Sequence, residues 1–192
     1  MLTSITPLGE RGRNRNWATT VTAYIIGSVL GGAVTGLVVG GLGALVPAAL
    51  RLDGVVIIVV LLAIVALGEL GFIAFPAIPK RQVNEDWLDE YRGWVTGLGF
   101  GFQLGLGLVT IVTSLAVPVT FLVAFLTYSV RWGILIGVTF GLARALPILW
   151  TRRVTAPEQL ATLHRRHDRS ARSVAIAAAL AMGPIAVLAV LV

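Results

Sequence analysis

The chain has 192 residues, of which 57% are apolar and 12% charged, and its mean hydropathy is +0.90. This composition excludes a soluble globular protein and predicts a single domain that lies in a lipid bilayer. The net charge of +6 does not indicate nucleic-acid binding, because lysine and arginine collect on the cytoplasmic side of membrane proteins. The absence of cysteine excludes disulfides, thiolate metal sites and thiol redox chemistry.

The first sixteen residues form a polar arm with three arginines. We expect this arm to lie on the cytoplasmic side, near the anionic headgroups of the bilayer. It lacks the pattern of a cleavable signal peptide, since no convincing small-residue cleavage site follows a short apolar core.

Five apolar stretches follow and predict an all-α, polytopic membrane bundle of about five transmembrane helices. About 20 apolar residues cross a hydrocarbon core about 30 Å thick. The predicted spans cover residues 18–50, 55–75, 94–128, 132–150 and 173–192. The first and third are longer than one straight span requires. Each of these two is therefore either one kinked span or a pair of short helices.

Glycine recurs at every fourth position in two of the spans. Such a ladder leaves a groove on one helix face, where the backbone of a second helix can approach closely. The ladders are Gly32, Gly36 and Gly40 in the first span and Gly133, Gly137 and Gly141 in the fourth. We expect both to serve helix packing.

The two halves of the chain share one design. Each begins with a polar segment that closes on a tryptophan, Trp17 or Trp94, and continues through a long glycine-rich stretch. A short turn with one arginine, Arg51 or Arg131, then leads into a shorter span. The pattern predicts two similar helical hairpins followed by a C-terminal span.

The distribution of positive charge predicts the topology. With five spans, three polar segments lie on the same side of the membrane as the N-terminus, and they hold twelve of the fifteen lysines and arginines. The two turns on the other side hold Arg51 and Arg131. The positive-inside rule then places the N-terminus in the cytoplasm and the C-terminus outside the plasma membrane. A competing topology divides both long stretches into two short spans, which would put the loop at residues 77–93 outside with its three cations.

The apolar segments also resemble the DsbD/CcdA family of membrane thiol-electron carriers, within the wider LysE-type transporter group. The first hairpin, TAYIIGSVLGGAVTGLVVGGLGAL and VVIIVVLLAIVALGELG, is similar to the second and third helices of that family. The segment GLGFGFQLGLGLVTIVTSLAVP resembles its fourth helix, and GVTFGLARALPIL resembles its fifth. The resemblance covers residues 18–192 and implies five of the family's six spans.

The chain departs from that family at the redox position. Thr113, Ser114 and Leu115 precede Pro118 where the family has a cysteine, so its electron relay is not implied here. What the resemblance implies is a scaffold with a broken helix that opens to either side of the membrane.

Three polar side chains fall inside the predicted spans: Glu69, Gln103 and Arg144. By helical rise, each lies roughly 9 to 14 Å from the cytoplasmic edge. Ionisable groups at this depth normally face the protein interior or a water-filled cavity. We hypothesise that Glu69 and Arg144 pair between the second and fourth spans, with Gln103 close to them. The alternatives are a salt bridge that only fixes helix packing, or an arginine that extends to the headgroups.

A second candidate site surrounds Pro118, with Thr113 and Ser114 just before it. A proline inside a helix removes a backbone donor and leaves a carbonyl that a hydroxyl group, water or a solute can satisfy. Transporters bind small solutes at such broken helices. The alternative is that the two hydroxyl groups bond to their own helix and only ease the kink.

Other patterns exclude conventional catalysis. His164 and His167 lack a third ligand and lie among arginines, so we expect no metal site. The run GLGFGFQLGLG follows no strand and does not predict a dinucleotide site. No catalytic constellation is visible. We therefore expect neither an enzyme nor a cofactor.

Two functions remain. The first is a small transporter or permease-like protein for an ion or small polar solute, which acts through the broken central helix. The second is a non-catalytic subunit or scaffold of a larger membrane complex. Five spans bury few helix faces, so a homo-oligomer or a membrane-protein partner fits both hypotheses.

Overall fold

The computed structural model describes residues 5–51, 91–107 and 116–153, together with Ile57, Val60, Leu61 and Ile64, which are helical. Every regular element within these residues is a helix, as the sequence predicts. The α-helices are α1 (Pro7–Gly12), α2 (Trp17–Ala44), α3 (Gly93–Leu106), α4 (Ala116–Leu126) and α5 (Val130–Ala145). Short 3-10 helices cover Ala48–Leu50 and Leu146–Arg153. The predicted span at 173–192 and the rest of the span at 55–75 lie outside the described residues.

Two of these helices are long and apolar enough to cross a membrane. They are α2 and the continuous segment Val130–Arg152, which joins α5 to the following 3-10 turns. The lengths of 28 and 23 residues correspond to roughly 42 and 35 Å of helical rise, compared with a hydrocarbon core of about 30 Å.

Helix α2 is the centre of the bundle, and α3 packs parallel to its first half. Along this interface three glycines of α3 lie directly against backbone carbonyls of α2. The pairs are Gly97 with Thr20, Gly101 with Tyr24, and Gly105 with Ser28. Both members of the pairs advance by four residues, so the two helices run in the same direction. A side chain at any of these glycines would force the helices apart.

Helix α5 packs antiparallel to α2 through the two predicted glycine ladders. The closest backbone contacts join Gly32 to Gly137 and Gly36 to Gly133, while Gly40 lies beside Ser129. In addition, the Ser28 hydroxyl donates a hydrogen bond to the Gly141 carbonyl at 2.7 Å. The ladders therefore pack against each other, which confirms their predicted role in helix packing.

The residues that α2 buries are small or polar, while its large aliphatic side chains face outward. Its buried positions are Thr20, Val21, Tyr24, Gly27, Ser28, Gly31, Gly32, Thr35, Gly36, Gly40 and Gly43. By contrast, Val38 and Leu42 are each 54% exposed. A water-soluble helix shows the opposite distribution. The pattern is typical of helices that pack through small residues with lipid outside.

All described arginines except Arg144 lie at the two ends of the bundle. At one end, α1, the starts of α2 and α3, and the 3-10 turns after α5 come together. This arginine-rich end carries Arg11, Arg13, Arg15, Arg92, Arg152 and Arg153. The opposite end carries Arg51, whose guanidinium lies 5.2 Å from the centre of the Tyr128 ring, and Arg131. The two turns predicted to share a side of the membrane do lie at the same end.

The amino-terminal arm differs from its prediction, because it folds onto the bundle instead of extending from it. Thr6 caps α1 by accepting a hydrogen bond from the Gly9 N–H at 3.1 Å, and Pro7 occupies the first helical position. Ile5 and Glu10 are buried, whereas Arg11 is exposed. The arm therefore buries the Ile5 side chain, whereas a polar arm that only lay near the headgroups would leave this side chain in water.

Candidate functional site

The long central stretch is interrupted at Gly107. Helix α3 ends there, and Gly107 adopts a left-handed conformation with a φ of 70°. A Cβ atom at this position would lie 2.6 Å from Cζ of Phe121, so both the backbone and the packing require glycine. The next described helix, α4, begins at Ala116. An interrupted helix was one of the two predicted forms of this stretch.

The interruption leaves carbonyl groups at the end of α3 without partners in their own helix. The Leu106 carbonyl accepts a hydrogen bond from the Thr35 hydroxyl of α2 at 3.3 Å. The Leu104 carbonyl accepts one from the Gly107 N–H at 3.2 Å and one from Nη1 of Arg144 at 3.3 Å. Side chains from both neighbouring helices therefore cap the broken end.

Arg144 connects α5 to the end of α3. Besides its bond to Leu104, its guanidinium carbon lies 5.3 Å from the centre of the Phe140 ring, within the range of a cation–π contact. A cation near the carbonyl end of a helix is also stabilised by the helix dipole. The fixed positive charge therefore lies inside the bundle, beside the interruption.

Gln103 lies on α3 between Phe100, one turn before it, and Gly107, one turn after it. Phe100 belongs to the same apolar cluster as Ala145, and Gly107 lies beside Phe140. The Oε1 atom of Gln103 is buried and has no hydrogen-bond partner in the described part of the chain. A buried acceptor without a donor is costly, by about 1–3 kcal/mol. This atom is therefore a point at which a bound donor would be stabilised.

Gln103 and Arg144 lie at a similar level of the bundle, because Arg144 bonds to the Leu104 carbonyl. Gln103 follows Gly93, the first residue of α3, by ten positions, which corresponds to roughly 15 Å of helical rise. That is about half the thickness of a hydrocarbon core. Their depth in a membrane stays a prediction.

The remaining predicted site residues do not join this group within the described residues. Pro118 is exposed and lies in α4, two residues after Ala116, the first residue described in that helix. Glu69, Thr113 and Ser114 lie outside the described residues, and the pairing of Glu69 with Arg144 stays a prediction. Across the described ranges, no group of three or more His, Cys, Asp or Glu side chains is placed to hold a metal ion.

Glu10 is a buried charge that the sequence interpretation missed. Its side chain is 1% exposed, and Oε2 accepts a hydrogen bond from the Thr20 hydroxyl at 2.6 Å. Oε1 lies 3.5 Å from Nη1 of Arg13. The sequence did contain a signal for a folded arm. The pair Thr6–Pro7 is typical of a helix start and predicts that the arm is ordered.

Comparison with known proteins finds a partial relative. The chain is 29% identical over 139 residues to a protein of Methylophilus methylotrophus described as methylamine utilization protein MauF. The match includes 71% of this chain and 49% of the relative, so the chain spans about half the length of the protein it matches. No family model matches the chain, and no solved structure matches it.

Proposed function

We propose that this chain is a membrane permease-like protein for a small polar solute, with its binding site between Gln103 and Arg144 beside the interruption at Gly107. The observation that carries the proposal is the buried Oε1 of Gln103, which has no hydrogen-bond partner among the described residues and lies one residue before Leu104, the carbonyl partner of Arg144. Helix ends that meet inside a membrane bundle are the usual solute sites of transporters. The broken-helix scaffold implied by the DsbD/CcdA resemblance has the same form.

The membrane location of the bundle is supported by its outer surface. The exposed side chains of α2 and α5 include large aliphatic residues along their length, such as Leu30, Leu37, Leu135 and Leu142. In water such a surface would favour aggregation, whereas lipid chains match it. We infer the predicted five spans, with the arginine-rich end in the cytoplasm of a plasma membrane, because the described arginines gather at that end.

The polar groups of the site define the chemistry of the solute. Arg144 supplies donors, so the solute needs an acceptor; Gln103 Oε1 is an acceptor, so the solute needs an N–H or O–H donor. A small amide such as urea carries both groups in one plane. The site lies deep in the bilayer, so the solute must also be one whose transfer out of water costs little free energy.

The moving part of such a permease would be α4. Helices α3 and α5 are both locked to α2 by glycine contacts between backbones, which allow little relative movement. The interruption at Gly107 separates α4 from α3, and helices bend or pivot most easily where the hydrogen-bond ladder is broken. We infer that solute passage depends on movement of α4, with α2, α3 and α5 as its fixed frame.

The similarity to a methylamine utilization protein bears on the choice of solute. The relative is longer, and its printed name describes that protein alone. For this chain we take the similarity as a reason to test small nitrogen compounds first. Urea belongs to that class and fits the donor and acceptor pattern of the site.

A second candidate function is a non-catalytic subunit of a membrane complex. The close packing of α2 against both α3 and α5 favours it, since a rigid core of this kind suits a scaffold. The two candidates differ in autonomy. A permease moves solute alone or as a homo-oligomer, whereas a subunit is extracted from its own membrane with a stoichiometric foreign chain that native mass spectrometry detects.

Urea flux into proteoliposomes tests the proposed permease. We expect vesicles with the parent chain to swell in a urea gradient faster than protein-free vesicles. Gln103→Leu keeps the volume but removes the acceptor, and should reduce this flux by about tenfold or more. Leu122→Ala, on the outer surface of α4, is the control and should leave the flux unchanged. Equal fluxes for the parent chain and Gln103→Leu would contradict the proposed site.

A further inference from the structure

We propose that residues 5–16 form a latch that closes the arginine-rich end of the bundle over the site at Gln103 and Arg144, and that the hydrogen bond from Thr20 to Glu10 holds it closed. This inference rests on the proposed function for its purpose. The geometry of the latch does not depend on that function, because it concerns access to a buried position in the bundle.

The latch enters the bundle through Ile5. This side chain is 1% exposed and packs in one cluster with Tyr24 of α2, Phe100 of α3 and Ile148 after α5. One residue of the latch therefore belongs to an apolar cluster that three helical segments share.

Thr151 fastens the same point. Its single hydroxyl proton is shared between the Ile148 carbonyl at 2.7 Å and the Ile5 carbonyl at 3.2 Å, and Nε1 of Trp17 donates to the Thr151 oxygen at 3.3 Å. Thr151 is buried, so these bonds form away from solvent. They tie the start of the latch to the end of the α5 segment and to the first residue of α2.

The cluster under Ile5 lies directly above the site. Leu104 packs against this cluster, and the carbonyl of the same residue accepts the hydrogen bond from Arg144. From the arginine-rich end inward, the order is therefore the latch, the apolar cluster, and then the level of Arg144 and Gln103. A solute from that side meets the latch first.

Glu10 gives the latch a polar contact that can be released. Its Oε2 accepts from Thr20 at 2.6 Å, while its Oε1 is buried without a hydrogen bond, 3.5 Å from Nη1 of Arg13. The carboxylate also lies beside Gly93, the first residue of α3, where a helix N-terminus favours negative charge. Glu10 thus contacts the starts of both α2 and α3 from a third segment.

The contacts of the latch are few compared with those of the frame. Helix α1 has six residues. Among the described contacts of the latch, Ile5, just before α1, is the apolar anchor. Segments held by few buried apolar groups open locally more often than the packed core does. The glycine ladders between α2 and α5 have no such weak point. We therefore infer that the latch opens while the frame stays closed.

Labelling of a single cysteine tests the latch, since the native chain has none. Gln103→Cys provides the reporter, and a charged methanethiosulfonate reagent is applied to the arginine-rich end in proteoliposomes. We expect slow labelling with the parent latch. Glu10→Ala should raise the labelling rate by about tenfold or more, because a buried hydrogen bond to a charged group is lost. Thr20→Val removes the same bond more mildly and should act in the same direction.

Two controls keep the result specific. Thr139→Val removes a hydroxyl that bonds within its own helix, to the Leu135 carbonyl at 2.8 Å, and should leave the rate unchanged. Ser129→Cys reports the opposite end and should be labelled at the same rate with and without Glu10→Ala. Unchanged labelling at position 103 in both latch variants, or an equal rise at position 129, would overturn the latch. Labelling needs no flux, so failure of urea transport alone would refute the permease and leave this result intact.

Discussion

Gly32→Ala is expected to lower the melting temperature of the detergent-solubilised chain by roughly 5 °C or more. An added Cβ atom would collide with the Gly137 carbonyl oxygen, and neither backbone can move without separating α2 from α5. Overpacking of this kind costs about 1–3 kcal/mol, and each kcal/mol shifts the melting temperature of a chain of this size by about 2–4 °C. Tryptophan fluorescence during heating measures the shift.

Gly41→Ala is the matched control, because it makes the same chemical change in the same helix. An added Cβ atom there meets nothing within 4 Å. Alanine favours a helix over glycine by about 1 kcal/mol, so the melting temperature should stay constant or rise slightly. Equal decreases for both variants would show that close packing at the glycine ladder does not decide the stability of the bundle.

Replacement of Arg144 should have the largest effect on transport. Arg144→Leu is expected to reduce urea flux by about tenfold or more, since the solute loses its donor and the Leu104 carbonyl loses a charged partner. Arg144→Lys keeps the charge but not the planar guanidinium beside Phe140, and we expect an intermediate flux. The measurement is the rate of vesicle swelling per folded protein.

Arg131→Leu is the control for this prediction, because Arg131 is an exposed arginine of the same helix at the opposite end. Its flux should equal that of the parent chain. A purely structural Arg144 makes a different prediction: Arg144→Leu would lower the melting temperature while the flux of the folded fraction stays constant. That outcome would show that Arg144 only caps the broken end of α3.

The helix faces that pack together were predictable, because the spacing of the glycines alone defines them. Glycine at every fourth residue places all members of a ladder on one face of a helix, whatever the partner is. The five-span topology implies that α3 runs parallel to α2, but the sequence could not show that the two ladders pack against each other. That contact depends on how the chain returns after each hairpin, which local spacing does not encode.

The position of the helix interruption was harder to predict. Pro118 is the stronger sequence signal for a break, whereas the described break lies at Gly107. Gly107 lies in a run of similar glycines, and a Cβ atom there would lie 2.6 Å from Cζ of Phe121. Local sequence does not distinguish it from the helical glycines around it.

The amino-terminal arm shows a second limit of composition. Its arginines predict an exposed segment near headgroups, and Arg11 is indeed exposed. Burial of the arm depends instead on Ile5 and on Glu10, whose partner Thr20 lies in a different predicted element. In the site itself, the sequence singled out Gln103 and Arg144, but it did not predict the Leu104 carbonyl as a partner of the arginine.

The central claim is that the described bundle crosses a membrane with its arginine-rich end in the cytoplasm. Single cysteines placed by Val130→Cys and Arg92→Cys lie at opposite ends of the bundle and test it in intact cells with an impermeant maleimide. We expect the cysteine at position 130 to be labelled from outside, and the one at position 92 to be labelled only after the membrane is permeabilised. Labelling of position 92 in intact cells, or equal labelling of both positions, would contradict the claim.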